Sequence, residues 1–416
     1  MRGGLVSTPV TASWPRRPSL ATTSAIGCAI CLAFGLIPLF MGIFPVFLGP
    51  VSHEFEWGLS VFPQAPLIVG LTAAVIGPFV GRLVDRKGVR FLLPAGLAIL
   101  TMGLFSLSLM NGSIAALYAA AIVVGLGGTI AGPIAFAKVI NGWFDRNRGF
   151  ALALVMSGVP AIATAIAVPV SQELIDVQGW RAAYRTIALI AAVVTIPVAI
   201  LLVREAQHAP GTGAPRVAIV GLTSAQAFRS VDFFLAIGAT CLAIGAIMGV
   251  SNHFLAWMAE RGVGRGSATL ALSAYSLAGP MGPLLGGILA DRITSPKVMV
   301  AFFALAPVGI ASILLIGTPA MLVGMIVLGL SFSSINGFAP YLVSRYFGMK
   351  AGSEILAVAF AAMTISMGAG PVLVGLGHDL SGNYTWPVGC AACVASLGLV
   401  AALYFRPYRF NPTTPD

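Results

Sequence analysis

The chain has 416 residues, of which 58% are hydrophobic and 9% charged, and its formal net charge is +10. Soluble globular domains run at about 45–50% apolar and about 25% charged, so this composition cannot cover a water-facing surface and points to an all-α protein embedded in lipid. The basic residues lie in small groups between apolar stretches, with no aromatic-interleaved patch, which argues against nucleic acid as a partner.

The first 20 residues are rich in Ser, Thr and Pro and contain Arg2, Arg16 and Arg17. The apolar stretch that follows exceeds the roughly 7–15 residues of a signal-peptide core, so an uncleaved first helix behind a cytoplasmic tail is expected. Stretches long enough to cross a bilayer then fall at 26–48, 61–81, 91–110, 115–141, 149–172 and 182–203. After a polar interval come 232–256, 267–290, 297–316, 320–343, 354–376 and 386–405. The expected division is a tail (1–20), a six-helix bundle (21–203), a cytoplasmic linker (204–230), a second six-helix bundle (231–406) and a tail (407–416). The linker holds Pro210 and Pro215 around a Gly-rich run, with enough Arg and Gln nearby for a short surface helix.

Orientation follows from Lys and Arg. With the N-terminus in the cytoplasm, 19 of the 23 basic residues fall on the inner side and four (Arg181, Arg185, Arg261, Arg265) on the outer. Both termini are then cytoplasmic, and the expected location is a cell inner membrane, spanned many times.

Between spans 2 and 3 lies a dense charged run, Gly81-Arg-Leu-Val-Asp85-Arg86-Lys-Gly88-Val-Arg90. Gly287-Ile-Leu-Ala-Asp291-Arg292 repeats its first half 206 residues later (287 − 81). Trp143-Phe144 and Tyr346-Phe347 recur at 203, and Pro169-Val170 and Pro371-Val372 at 202. Three landmarks in one order at one spacing indicate duplication with both halves oriented alike.

On these residues the chain, over about 20–406, resembles the major facilitator superfamily, whose signature Gly81-x-Leu83-x-Asp85-Arg86-x-Gly88-x-Arg90 matches between spans 2 and 3. Within it, Glu54-Phe-Glu-Trp57, Trp143 to Gly149, Gly179-Trp180-Arg181 and Arg345-Tyr-Phe-Gly348 look like the monocarboxylate-porter-like branch. The Asp/Arg pair typical of span 8 in animal monocarboxylate transporters is missing; that span reads Ala274-Tyr-Ser-Leu-Ala-Gly-Pro-Met-Gly-Pro283. The resemblance implies that Gly81, Asp85, Arg86, Gly88 and Arg90, with Asp291 and Arg292 in the second copy, gate the protein. Asp85 would lie near the N-terminal end of span 11 and lock the halves in the outward-facing state.

All 13 acids fall in loops or at span ends, which argues against a cationic substrate and a buried carboxylate proton carrier. Lys138 in span 4 either binds an anion or snorkels to the interface five residues away at Trp143. His253 in span 7 is either packing or the proton carrier, for which its chemistry is suited. Asn252, Asn336, Tyr275 and Gln64 complete the expected substrate-binding set, since spans 1, 4, 7 and 10 line the cavity in the family fold; Ser157 and Ser334 are further polar candidates. Phe44 and Phe47 near Pro45 offer an apolar wall or packing.

The expected function is alternating-access transport of a small organic anion, a monocarboxylate with a proton. A potential of 100 mV opposes a monoanion by about 2.3 kcal/mol, and one accompanying proton removes that term. The alternatives are anion exchange, export of uncharged or drug-like compounds, and a membrane sensor that keeps a transporter fold. An enzyme is not expected, since no nucleophile–base set or ligand cluster sits within a span. Cys28-x-x-Cys31 and Cys390-x-x-Cys393 lie near opposite membrane faces and cannot share a zinc ion, so neither metal nor cofactor is expected. Membrane lipid surrounds what is expected to be a monomer.

Overall fold

The computed structural model describes residues 20–143, 154–206, 221–292, 295–316, 318–348 and 350–409. It is all-helical, and among the described residues the only β-type pairing is an isolated bridge between Gly221 and Gly348.

Twelve spans emerge, several of them broken. α1 consists of Leu20–Ala33, a π-helical segment Ile37–Gly42, and Phe44–Glu54. Pro38 and Pro45 lie within that chain of pieces, where each lacks an N–H and disturbs the helical ladder. α2 is Gln64–Lys87 and α3 is Val89–Leu107. α4 comprises Ile114–Ile130 and Pro133–Trp143, with Gly132 at the break. A π-helical turn, Leu154–Gly158, leads into Val159–Leu201, which Gly179 (φ 79°) divides into α5 (154–178) and α6 (180–201). α7 is Val231–Glu260; α8 comprises Arg265–Ala278 and Met281–Arg292. α9 is Lys297–Ile316, α10 Met321–Phe347, α11 Gly352–Ser381 and α12 Thr385–Leu403. Among the described residues ten helices are long and apolar enough to cross a bilayer. The other two spans are hidden because α5 and α6 run together and α8 is interrupted.

The short linker helix exists: Ser224–Phe228 begins with a capping box between Thr223 and Gln226. Residues 207–220 of the linker lie outside the described residues, as do 144–153, which include part of the Trp143-to-Gly149 motif.

The duplication has a structural basis at the hairpin end of the molecule. The Trp143 indole donates to the Arg204 carbonyl at 2.6 Å, and the Tyr346 hydroxyl to the Arg406 carbonyl at 2.7 Å. The matched aromatics thus each fasten the fourth helix of a half to the chain leaving its sixth. At the far end, Glu54 accepts from Trp180 Nε1 at 2.5 Å and from the Arg181 guanidinium. Its counterpart Glu260 accepts from the Tyr384 backbone N–H at 3.3 Å. Each half therefore clips its first helix to its sixth at one end and its fourth to its sixth at the other.

Between the halves, α2 packs on α11, α5 on α8, and the last part of α1 on α7. Gly70 meets Thr364, and Gly368 and Gly375 meet Leu67 and Leu59, letting α2 and α11 approach closely. The backbone N–H groups of Leu59 and Ser60 donate to Asp379, and Arg265 donates to Asp176, joining the halves at the far end.

Candidate functional site

The helix breaks locate the candidate site. Irregular backbone at membrane depth is tolerated where it is buried in protein or lines a water-filled cavity, and interrupted spans in both halves mark substrate sites in many transporters. α1 is interrupted at Ile37–Gly42, α4 near Gly132, and α8 at Gly279–Pro280, each around the middle of its span. The first two adjoin, since Gly128 of α4 packs on Leu36 of α1. The α8 break adjoins α10: Gly282 sits against Ser333 and Ser334, and Gly329 against the Tyr275 carbonyl.

On the α8–α10 side, the Tyr275 ring lies 6.2 Å from that of Phe332, and its hydroxyl 3.9 Å from Met248 Sδ. Asn336, one turn beyond Phe332, is half-buried and makes no hydrogen bond among the described residues. Its carboxamide offers two donors and an acceptor. Ser333 and Ser334 spend their hydroxyls on α10 carbonyls, at 2.9 Å to Gly329 and 2.7 Å to Leu330. Ser157, in the π-helical turn of α5, is exposed. Phe332 was not singled out from the sequence; its only signal there is a position one helical turn before Asn336.

The other expected binding residues sit elsewhere. Lys138 Nζ donates to the Val84 carbonyl at 2.7 Å and pairs with Glu205 at 3.2 Å. It is a fastening at the hairpin end of the first half, in keeping with the snorkelling alternative and away from the helix breaks. His253 is 1% exposed, with Nδ1 at 3.0 Å from the Tyr384 hydroxyl and Nε2 at 2.8 Å from the Pro371 carbonyl. A carbonyl only accepts, so Nε2 carries the proton and Nδ1 accepts from the phenol. Both nitrogens of the neutral ring are used, and the packing alternative describes its position. Asn252 is 3% exposed and returns its Nδ2 to the Met248 carbonyl at 2.9 Å. Gln64 opens α2 and accepts from the Tyr118 hydroxyl of α4. Phe44 and Phe47 are fully buried, stacked on Phe62 and Tyr184 respectively.

In the charged hairpin, Gly88 has φ 73°, and the Glu205 carboxylate lies where a Cβ would stand. The positive φ is what calls for glycine, since the carboxylate ends a flexible side chain. The Gly88 N–H returns to the Val84 carbonyl at 3.0 Å, the atom that Lys138 also uses. Gly81 has open space where a Cβ would be, and Arg86 and Arg90 are exposed. The side chains of Asp85, Asp291 and Arg292 lie outside those described.

Three cavities stand out. Two are repeat-related apolar crevices of about 400 and 430 Å³, one between α1, α5 and α6 and the other between α7, α11 and α12. Both are bordered by outward-facing side chains such as Ile166 and Leu373, as expected of a lipid-facing flank. The third, about 630 Å³, lies between the halves at the far end, where His53, Gln172, Asp176, Trp180 and Arg265 contribute polar atoms. Among the described residues no group of three or more His, Cys, Asp or Glu side chains is placed to hold a metal.

Comparisons with known proteins agree with this architecture. The family model for the Major Facilitator Superfamily matches residues 30–264 and 239–416, which together span both halves. The uncharacterized MFS-type transporter YcxA of Bacillus subtilis (strain 168) is 22% identical over 386 residues, covering 89% of this chain and 91% of that protein. An MFS-type transporter of Gibberella moniliformis is 24% identical over 380 residues, covering 89% and 88%. Among solved structures, a bacterial homologue of the human lysosomal transporter Spinster, in an inward-facing and unoccupied conformation, shares the fold at a TM-score of 0.68 and 14% identity, covering 94% and 95%. With twelve helices in two repeated sets and a family match across both, the chain is a membrane transporter of the Major Facilitator Superfamily, and not an enzyme.

Proposed function

We propose that this protein carries a small organic acid together with one proton by alternating access, with the proton travelling on the substrate's own carboxyl group. The observation that carries this reading is the character of the central patch. Among the described residues no Asp, Glu, Lys or Arg stands midway along a span, and the free polar group beside the helix breaks is the neutral Asn336 carboxamide. A bare carboxylate there would be desolvated with no cation to balance it, at a cost of several kcal/mol. The protonated acid has one donor and one acceptor edge, which a carboxamide matches. Tyr275 and Phe332 supply an apolar and aromatic flank for the rest of a small substrate.

The likeness to the monocarboxylate-porter-like branch supports the same substrate class. The Lys and Arg distribution supports placing the hairpin end and both termini in the cytoplasm of a cell with an inner membrane. The six-plus-six division with a linker near 204–230 and a monomeric state complete the reading.

Uptake of labelled short monocarboxylates into proteoliposomes tests it. Uptake should rise when the outer medium is acidified and should not respond to an imposed potential, because the acid and its proton move without net charge. Uptake that follows the potential would refute proton travel on the substrate. Failure of all carboxylates, alongside movement of an uncharged dye, would favour the export of neutral compounds.

A further inference from the structure

Two of the cavities are one feature, duplicated. The crevice between α1, α5 and α6 and that between α7, α11 and α12 measure about 400 and 430 Å³. Ile166 and Ala369 take the same place in the two linings, as do Val170 with Leu373 and Ile187 with Cys390, each pair 203 positions apart. Trp143 and Tyr346 have that same spacing, so the crevices occupy equivalent places in the repeat. The side chains differ at each place, yet a space of nearly the same volume remains.

Each crevice is lined from one half only, and each opens sideways, where Ile166, Val170 and Leu373 are exposed. In the second half small residues shape it: Gly245 and Gly370 bring α7 and α11 so close that a Cβ on Gly370 would meet the Gly245 carbonyl. Among the described residues no charged side chain lines either crevice. Ser366, a polar group of the second, spends its hydroxyl on the Cys241 carbonyl at 2.6 Å. Water there would find few partners, and walls that face no atoms forfeit their dispersion contacts. The chemistry calls for an apolar occupant.

Length and depth identify it. Along α11 the lining runs from Ser366 to Gly377, roughly 16 Å at 1.5 Å per residue, and along α5 from Val159 to Leu174, roughly 22 Å. One leaflet of hydrocarbon is about 15 Å deep. Trp386, in the first turn of α12 and 72% exposed, borders the second crevice towards the far end of the molecule. Exposed indoles at the ends of spans sit at the level of lipid headgroups. We propose that each crevice binds one acyl chain of a phospholipid from the far-end leaflet, with the glycerol and headgroup of the second lipid beside Trp386. The residue equivalent to Trp386 in the first half is Ala183 (386 − 203), so the second crevice holds its lipid more tightly. Such binding is independent of which substrate is carried.

Vesicles of dioleoylphosphatidylcholine, doped with the same lipid carrying a diazirine midway along one chain, supply the probe. The full-length protein is reconstituted into them and irradiated, and its adducts are mapped by peptide mass spectrometry. Adducts should be at least five-fold denser on 163–190 and 366–394 than on the outward-facing stretches around Met102 of α3 and Val308 of α9. The 366–394 stretch should carry the more. Ala369→Phe, which fills the second crevice, should remove its adducts and spare the first; Ala163→Phe should do the reverse. Labelling spread evenly over the outward-facing flank, or unchanged in a filled crevice, would overturn the proposal. So would a dimer by native mass spectrometry together with an absence of adducts around Cys390, since a second copy of the chain would then cover the crevice. Should the Phe variants fail to fold, the distribution of adducts on the parent decides alone.

Discussion

The Trp143 indole hydrogen is held by the Arg204 carbonyl, 61 positions away in sequence, at 2.6 Å. That bond ties α4 to the chain leaving α6, and Tyr346 makes the matching bond to Arg406 at 2.7 Å. Tyr346→Phe keeps the ring and removes one donor, and Trp143→Phe removes the donor together with the pyrrole part of the indole; both leave a carbonyl to find water at the membrane edge. Each should lower stability by about 0.5–1.5 kcal/mol. Thermal unfolding in detergent checks this, and parental melting in both variants would show that the bonds contribute nothing.

Gly88 is fixed by its backbone conformation. Its φ of 73° is unfavourable for a residue with a Cβ, and the Glu205 carboxylate fills the space a Cβ would take. Gly88→Ala should therefore cost about 1–3 kcal/mol and displace Glu205 from Lys138. Lys138→Met, which only removes a partly exposed ion pair and one hydrogen bond, should cost about 1 kcal/mol. It should leave the KM for the transported acid unchanged. A tenfold rise in KM would return Lys138 to the substrate site.

The fold was legible because its signals are long and redundant: twelve apolar stretches, the basic bias of one side, and landmarks repeated at spacings of 202–206 residues. The candidate site was less so, for a physical reason. Residue type shows that Lys138 and His253 are costly to place within an apolar span, but their partners lie far away in sequence. Glu205 is 67 positions from Lys138, and Tyr384 and Pro371 are more than 100 from His253. Sequence alone therefore separates a satisfied polar residue from a free one poorly. The helix breaks also escaped the reading, since Pro and Gly recur throughout these spans and only some of them interrupt the helix.

His253 illustrates the consequence. With Nε2 donating to Pro371 and Nδ1 accepting from Tyr384, it joins α7 to α11 and to the start of α12. His253→Phe should destabilise the second half by about 1–3 kcal/mol, because a buried carbonyl and a phenol lose their partners. In His253→Gln, which keeps some hydrogen bonding, the pH dependence of uptake should match the parent. A shift of the profile by half a pH unit would make His253 the proton carrier after all.

Glu54 supplies a pH dependence of stability at the far end. The Arg181 guanidinium bonded to it, with the Trp180 indole, holds its carboxyl below the usual glutamate value of 4.5. A depressed pKa in the folded state means the stabilisation is complete above that value and is lost as the pH falls through the lower, folded one. The melting temperature should therefore fall more steeply below pH 4.5 in the parent than in Glu54→Gln, which lacks the charge. Parallel melting curves between pH 3 and pH 6 would remove Glu54 from the account.

Asn336 and Tyr275 bear the chemical part of the proposal. Asn336 has no hydrogen-bond partner among the described residues, so Asn336→Leu removes no internal bond and should leave the melting temperature within a few degrees of the parent. Its effect should instead appear in transport. Loss of a carboxamide that pairs with both edges of a carboxylic acid removes about 1–3 kcal/mol, or roughly 5- to 150-fold in KM, where the substrate's polar edges are left unpaired. Asn336→Asp is the sharper variant: it places a negative charge beside the substrate while keeping the size. It should abolish uptake at neutral pH and recover part of it in acid, when the new carboxyl is protonated. Tyr275→Phe, which keeps the ring against Phe332 and removes only the hydroxyl, should have the smaller effect. Parental transport kinetics in both Asn336 variants would move the site away from the α8–α10 contact.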